Sequence, residues 1–302
     1  MEKMTLAYLI SAHTDAPQLK RLVDALNQDA HFFIHIDKKT DITKFTSIIQ
    51  GENIHFLDNR VDVRWGTILE VEYQMNLIAA AIDYPKHFDR LITLSGMDYP
   101  LWSNKRIHQY FREIGDKEIL TGCDLASPDV SPKHTAIYRL ARPFFALSCF
   151  GNKGNQRLSI ACRKVLGALG VKKSLTLPNG WHLYKGAAWW AISEDLGSYI
   201  FNTYRENAEA REYFRNSFGQ AETFIQTIAF NSPQWAAKCM LTKGDYPGLA
   251  ALTPLQFIIY EPVIKIMNET DYETLMASGK MFTRKLISLE SDKLVKRLET
   301  RE

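Results

Sequence analysis

The sequence predicts an α/β fold: one domain built on a mostly parallel central sheet flanked by helices. Three observations predict it. Short apolar runs alternate with helix-like segments between residues 5 and 100, the order that yields a parallel sheet covered by helices. No internal repeat or flexible linker divides the 302 residues. A chain of this length buries a large core without staples.

The elements follow in order. Residues 5–11 (TLAYLIS) form an apolar run bounded by polar residues, the mark of a buried strand. Thr14 or Asp15 can cap the next helix, with Pro17 in its first turn and Leu19, Leu22, Val23 and Leu26 at helical spacing. Residues 32–36 (FFIHI) predict a second strand ending at Asp37, and residues 53–57 a third. Residues 67–82 predict a helix with Ile68, Val71, Met75, Ile78 and Ile82 on one face. Residues 91–94 (LITL) predict a fourth strand, which runs into Ser95-Gly96-Met97-Asp98-Tyr99-Pro100. Further on, 156–169 fits an amphipathic helix and regular structure returns at 187–192. A helix is expected over 221–230, and the tail 286–302 is charged and helix-prone. Functional loops of such sheets lie at the carboxyl ends of the strands. Those ends carry His13, Asp37, Asp58 with Arg60, and Asp98.

Composition narrows the class. Apolar residues make up 46% and charged residues 24%, as in a folded soluble protein and unlike a disordered or collagen-like chain. No apolar run approaches the ~18–20 residues of a membrane span, and the first residues lack the features of a signal peptide. Cys123, Cys149, Cys162 and Cys239 are far apart with no C-x-x-C, which suits neither zinc nor a disulfide framework. The expected setting is the reducing cytoplasm. Charge is unevenly spread: from 130 to 193 there is no Asp or Glu, while Lys133, Arg139, Arg142, Lys153, Arg157, Arg163, Lys164, Lys172, Lys173 and Lys185 fall there. Such a block is either a solvated basic face or a surface turned toward phosphates, nucleic acid or lipid.

Dinucleotide, P-loop and nucleophile-elbow motifs are absent. His31 and His35 lie four apart on a strand, ~13 Å and too far for one ion. No Asp-x-Asp occurs, the pair with which metal-dependent glycosyltransferases commonly hold their donor. Three groups remain. Arg284-Lys285 is either a surface pair or a cationic clamp for a diphosphate. Glu222 is either a helix-dipole partner or a general base. Lys185-Gly186-Ala187-Ala188-Trp189-Trp190 is either core or a platform for a sugar ring.

Taken together, these pieces resemble the core-2/I-branching family of β-1,6-N-acetylglucosaminyltransferases, which also contains the peptide O-xylosyltransferases. The resemblance rests on an ordered series running from residue 5 to 286. It comprises His35-Ile36-Asp37; Asp58-x-Arg60 with Trp65-Gly66; Ser95 to Pro100; and Lys185 to Trp189. Glu222-x-Phe224-x-Gln226-Thr227 with Asn231-Ser232 and Phe282-x-Arg284-Lys285 complete it. It implies a single GT-A-type domain, with a nucleotide-binding half (1–121) and an acceptor and catalytic half (122–302). It further implies an inverting transfer from a UDP-sugar without a divalent metal or other cofactor.

Under the resemblance, His35, Ile36, Asp37, Asp58 and Arg60 hold uridine. Arg284 and Lys285 take the metal's place on the diphosphate, and Glu222 is the base. Asp98, Lys185, Gly186, Trp189 and Trp190 line the sugar and acceptor site. Ala188, where the xylosyltransferase branch carries an acidic residue, and Ser95 to Asp98 favour UDP-GlcNAc over UDP-xylose. Many relatives carry an arginine near 255–260, where this chain has Gln256. Animal members have a membrane anchor and several disulfides, and this chain resembles a soluble bacterial relative. Its expected acceptor is a glycan or lipid-linked glycan, with the basic block resting on the inner face of an anionic membrane. The rival readings are a UDP-xylose transferase and a non-catalytic nucleotide- or glycan-binding protein. A nucleic-acid partner leaves Glu222 and the late Arg-Lys pair unexplained. A glycoside hydrolase using Asp98 and Glu222 leaves the uridine-like segments idle.

Overall fold

A computed structural model describes residues 4–131, 139–145, 152–260 and 263–300. Lys133 and Cys149 lie outside them, as does the side chain of Lys153. The strands are β1 (Leu6–Ala12), β2 (Ala30–Ile36), β3 (Ile54–Phe56), β4 (Arg90–Ser95), β5 (Asp98–Pro100), β6 (Thr121–Asp124), β7 (Tyr184–Lys185), β8 (Ala191–Ile192), β9 (Met240–Thr242), β10 (Gln256–Phe257) and β11 (Phe282–Arg284). The central sheet has the order β3-β2-β1-β4-β8. Its first four strands are parallel, and β8 closes the edge antiparallel to β4.

The apolar runs form this sheet because both faces are covered. Leu6, Ala7, Tyr8, Leu9 and Ile10 are each at most 1% exposed. Successive side chains point to opposite faces. Ala7 and Leu9 join one core with Phe33, Val71, Met75 and Ile78, while Leu6, Tyr8 and Ile10 join the other with Leu19, Leu22, Phe32 and Ile34. The helix Ala16–Leu26 starts at Asp15, whose Oδ1 accepts from the Gln18 N–H at 3.1 Å.

Several elements differ in extent from the sequence reading. The helix expected from 67 begins at Leu69, and that expected from 156 spans Asn152–Ala168. The segment 221–230 divides into a one-turn 3₁₀ helix, Gln220–Glu222, and the α-helix Phe224–Phe230. Thr223 breaks the run at φ −133°. Only Ala191–Ile192 of the segment 187–192 is strand. The charged tail forms the helix Asp292–Glu299, whose Leu294, Val295 and Leu298 pack with Tyr99, Leu101 and Leu286 in a third, smaller core.

Two small sheets position the chemistry. In the sheet β7-β6-β9, Lys185 lies opposite Cys123. A Cβ on the adjoining Gly186 would stand 2.1 Å from the Thr121 carbonyl oxygen, so only glycine fits that approach. In the sheet β10-β11-β5, Arg284 pairs directly opposite Asp98. Asp98 is fully buried and accepts from the Ser95 N–H at 2.9 Å, Gln256 Nε2 at 3.2 Å and Arg284 Nη1 at 3.2 Å. Burial raises this carboxyl's pKa, and the Arg284 charge with the two other donors pulls it back. Removing one partner of a buried pair leaves the other charge uncompensated. Asp98→Ala is therefore expected to cost about 3–5 kcal/mol of unfolding free energy, read by urea denaturation. A loss below ~1 kcal/mol, the value of a surface pair, contradicts this anchoring role.

Candidate active site

A cavity of about 1000 Å³ opens along the carboxyl ends of the parallel strands. That is the upper end of the ~300–1,000 Å³ range of small-molecule sites. Ser11, Ala12 and His13 line it from β1 and the turn after it, His35 and Asp37 from the end of β2, and Thr93, Leu94 and Ser95 from β4. Opposite stand Lys185, Ala188, Trp189, Glu222 and Arg284. Residues from the two halves of the sequence thus meet at one sheet edge.

At one end of the cavity the His35 ring stacks on Tyr73, with centroids 5.3 Å apart, and Nε2 accepts the Val61 N–H at 2.9 Å. Burial lowers His35 to about 4 against the opposing pull of Asp37, so the ring is neutral at pH 7. The Asp37 carboxylate is held by the Lys39 ammonium at 3.0 Å, which also bonds Asp62 and the Val63 carbonyl, each at 2.6 Å. His13 is lowered first by burial; Asp37 opposes this, and the charges of Arg284, Lys285 and Lys39 lower it further. Three cations therefore project their field onto the end of β1, as an anion site requires.

Arg284 completes that side. Asp98 fixes its Nη1, and its guanidinium lies over the Trp189 ring at 5.0 Å. Its buried Nε has no hydrogen-bond partner among the described residues. Gln256 donates to the same Asp98.

Glu222 ends the 3₁₀ turn, and its carboxylate is ion-paired with the Lys185 ammonium. The Gly186 N–H donates to the Glu222 carbonyl at 2.8 Å, so the Lys185 segment holds both the side chain and the main chain of Glu222. Lys173 steadies the preceding loop through Ser217 Oγ at 2.6 Å, and burial lowers this lysine to about 8. Arg163 stacks on Phe218 at 4.6 Å. Part of the basic block therefore supports this loop rather than forming a uniform solvated face.

The expected residues sort into distinct places. His35, Asp37, Lys185, Trp189, Glu222 and Arg284 line one cavity. Lys285 acts on His13 from beside it. Trp190 is 1% exposed and belongs to the core, whereas Trp189 lines the cavity. Ile36 is wholly buried in the opposite core. Asp98 is closed off from the cavity and acts through Arg284, and Gly186 contributes main chain. Asp58 is exposed and Arg60 donates to the Thr40 carbonyl at 2.9 Å; neither lines the cavity.

Sequence reasoning missed Glu70, Tyr73, Gln74 and Leu77, which line the cavity from the helix Leu69–Ile82. Their i, i+3, i+4, i+7 spacing, with three polar members, was the available signal. Burial raises Glu70 to about 8; the Gly66 N–H opposes this and the Glu222 charge adds to it. Among the described residues, no group of three or more His, Cys, Asp or Glu is placed to hold a metal ion.

The family model for the core-2/I-branching enzyme matches residues 6–246. Xylosyltransferase 2 of Mus musculus is 24% identical over 242 residues, 77% of this chain and 25% of its own length. Xylosyltransferase of Ciona intestinalis is 23% identical over 235 residues, 75% of this chain and 25% of its own. The matched region is thus about a quarter of these relatives' length. Among solved structures, galactosyltransferase LgtC with donor and acceptor sugar analogs aligns with 98% of this chain and 94% of its own, at 9% identity and a TM-score of 0.42. The 4-diphosphocytidyl-2C-methyl-D-erythritol synthase of Anaerococcus prevotii aligns with 91% of this chain and 96% of its own, at 13% identity and a TM-score of 0.37. At such scores the fold is judged from its own sheet order. The family model covers most of the chain, and the chain belongs to the core-2/I-branching family of glycosyltransferases.

Proposed function

We propose that this chain transfers a sugar from a UDP-sugar to a hydroxyl of a glycan or lipid-linked glycan, with inversion and without a divalent metal. One observation carries the reading: a strand-edge pocket, an anchored cation and a carboxylate paired with Lys185 share a single cavity. In this reading His35 and Asp37 hold the uridine, and Arg284 with Lys285 holds its diphosphate. Glu222 takes the proton of the acceptor hydroxyl, whose oxygen attacks the anomeric carbon. The bond to UDP breaks on the opposite face, and its electron pair stays on the diphosphate oxygen, whose growing charge the cations offset. Lys185 orients the base.

The Ser95 to Asp98 segment and Ala188 favour GlcNAc as the sugar. The relatives' name, xylosyltransferase, favours UDP-xylose as the second reading.

The outer face of the helix Asn152–Ala168 supports a membrane-borne acceptor. Arg157, Lys164 and Val165 are exposed there, continued by Leu169 and Lys172, and Leu169 is 73% exposed. The inner face carries Ser159, which lines the cavity, and Arg163, which stacks on Phe218. A basic-apolar stripe of this kind suits an anionic bilayer. No helix of the described residues is long and apolar enough to cross one.

Two outcomes are expected. Glu222→Gln keeps the wild-type melting temperature and loses about a hundredfold or more in transfer, measured as UDP release with acceptor; near-wild-type turnover removes Glu222 from the role of base. At low salt the protein co-sediments with anionic vesicles and not with neutral ones, and failure to co-sediment with the anionic vesicles excludes the bilayer contact.

A further inference from the structure

The cavity holds a third carboxyl, which the mechanism above does not use. Glu70 sits in the first turn of the helix Leu69–Ile82, which packs against the turn Gln220–Glu222. Two contacts fix this arrangement. The Gly66 N–H donates to Glu70 Oε2 at 2.9 Å. Gly66, at φ +74°, lies so close to the Phe218 ring that a Cβ there would meet it at 2.7 Å. Glu70 and Glu222 are thereby tied to the same loop contact and both line the cavity. Among the described residues, the Gly66 N–H is the hydrogen bond that Glu70 receives. Its other oxygen is available to the cavity.

The position along the helix says what meets that oxygen. Tyr73, one turn on, stacks on His35 and lies within the fields of both Glu70 and Arg284. The helix face thus runs from the nucleotide end at Tyr73 to the Glu222 end at Glu70. The space between them is where the transferred sugar of a UDP-sugar would lie.

We propose that Glu70 is a sugar-positioning residue, with Gly66 holding Oε2 while Oε1 hydrogen-bonds an oxygen of the donor sugar beside Glu222. The assignment rests on the nucleotide-sugar reading above. Glu222 and Tyr73 face Glu70, with the cations Lys185 and Arg284 across the cavity. Burial and Glu222 raise Glu70 to about 8, so at pH 7 it carries a proton and donates without setting two anions side by side. Ionisation above pH 8 removes that donor.

The test compares Glu70→Gln and Glu70→Ala with the wild type by calorimetric titration of UDP, UDP-GlcNAc and UDP-xylose between pH 6 and 9. UDP affinity is expected to stay the same in all three proteins. The better of the two UDP-sugars is expected to lose about tenfold in affinity in Glu70→Ala, the scale of one buried hydrogen bond. Glu70→Gln, which keeps a neutral donor, retains it within about threefold. The wild type loses sugar affinity as pH rises through 8, and the glutamine variant does not. A Glu70→Ala protein that binds the UDP-sugar like wild type, or a glutamine variant as weak as alanine, overturns the proposal and leaves the donor reading standing. A wild type that binds neither UDP nor a UDP-sugar overturns the donor reading, and the proposal with it.

Discussion

The site depends on one buried carboxylate. Asp98 has no exposed surface, yet three donors from three segments converge on it: the Ser95 N–H, Gln256 and Arg284. An unpaired charge at that depth is prohibitively unfavourable, so the fold must bring Arg284 to it. The β11–β5 register does this by pairing the two residues directly. What results is a cation held by its back edge, with its face over Trp189 and its charge felt at the end of β1. A preorganised cation of this kind stabilises charge without reorganising as the charge develops.

On the far side of the cavity the same logic runs with the opposite sign. Glu222 has a dedicated partner in Lys185, and the backbone of Gly186 holds the turn that presents it. Among the described residues Glu70 has no such cation in direct contact, and burial keeps its proton on at pH 7 instead. Two carboxyls can then share a partly buried space, one ion-paired and the other kept neutral by burial, an arrangement that divides roles between them. The lysines and arginines of the acid-free segment are divided as well. Lys173 and Arg163 brace the loop before Glu222, while Arg157, Lys164 and Lys172 face outward.

The sheet was legible because its strands are apolar on both faces and end in polar residues, so 5–11, 32–36 and 91–94 could be placed without help. Asp37 followed from the rule that strand ends carry function, and His35 from the family resemblance. The Trp189-Trp190 pair stayed ambiguous, although adjacent residues of extended chain point opposite ways and could have been divided on that ground. Asp98 and Arg284 were both singled out, but not as partners. Their strands are three residues each, 186 positions separate them, and no local pattern encodes such a pairing. Glu70 escapes a pattern based on apolar spacing, because the apolar face of its helix meets the core and the polar face meets the cavity.

The central claim is that an Asp98-anchored arginine does for the diphosphate what a metal ion would do. It is tested most directly by titrating UDP into the wild type and Arg284→Ala in the presence of a chelator, by calorimetry. The account predicts that the wild type binds UDP with the chelator present and that Arg284→Ala weakens binding by about tenfold or more, a ~1.4 kcal/mol loss. Binding that vanishes with the chelator and returns with Mn²⁺, or an Arg284→Ala affinity equal to wild type, would contradict it.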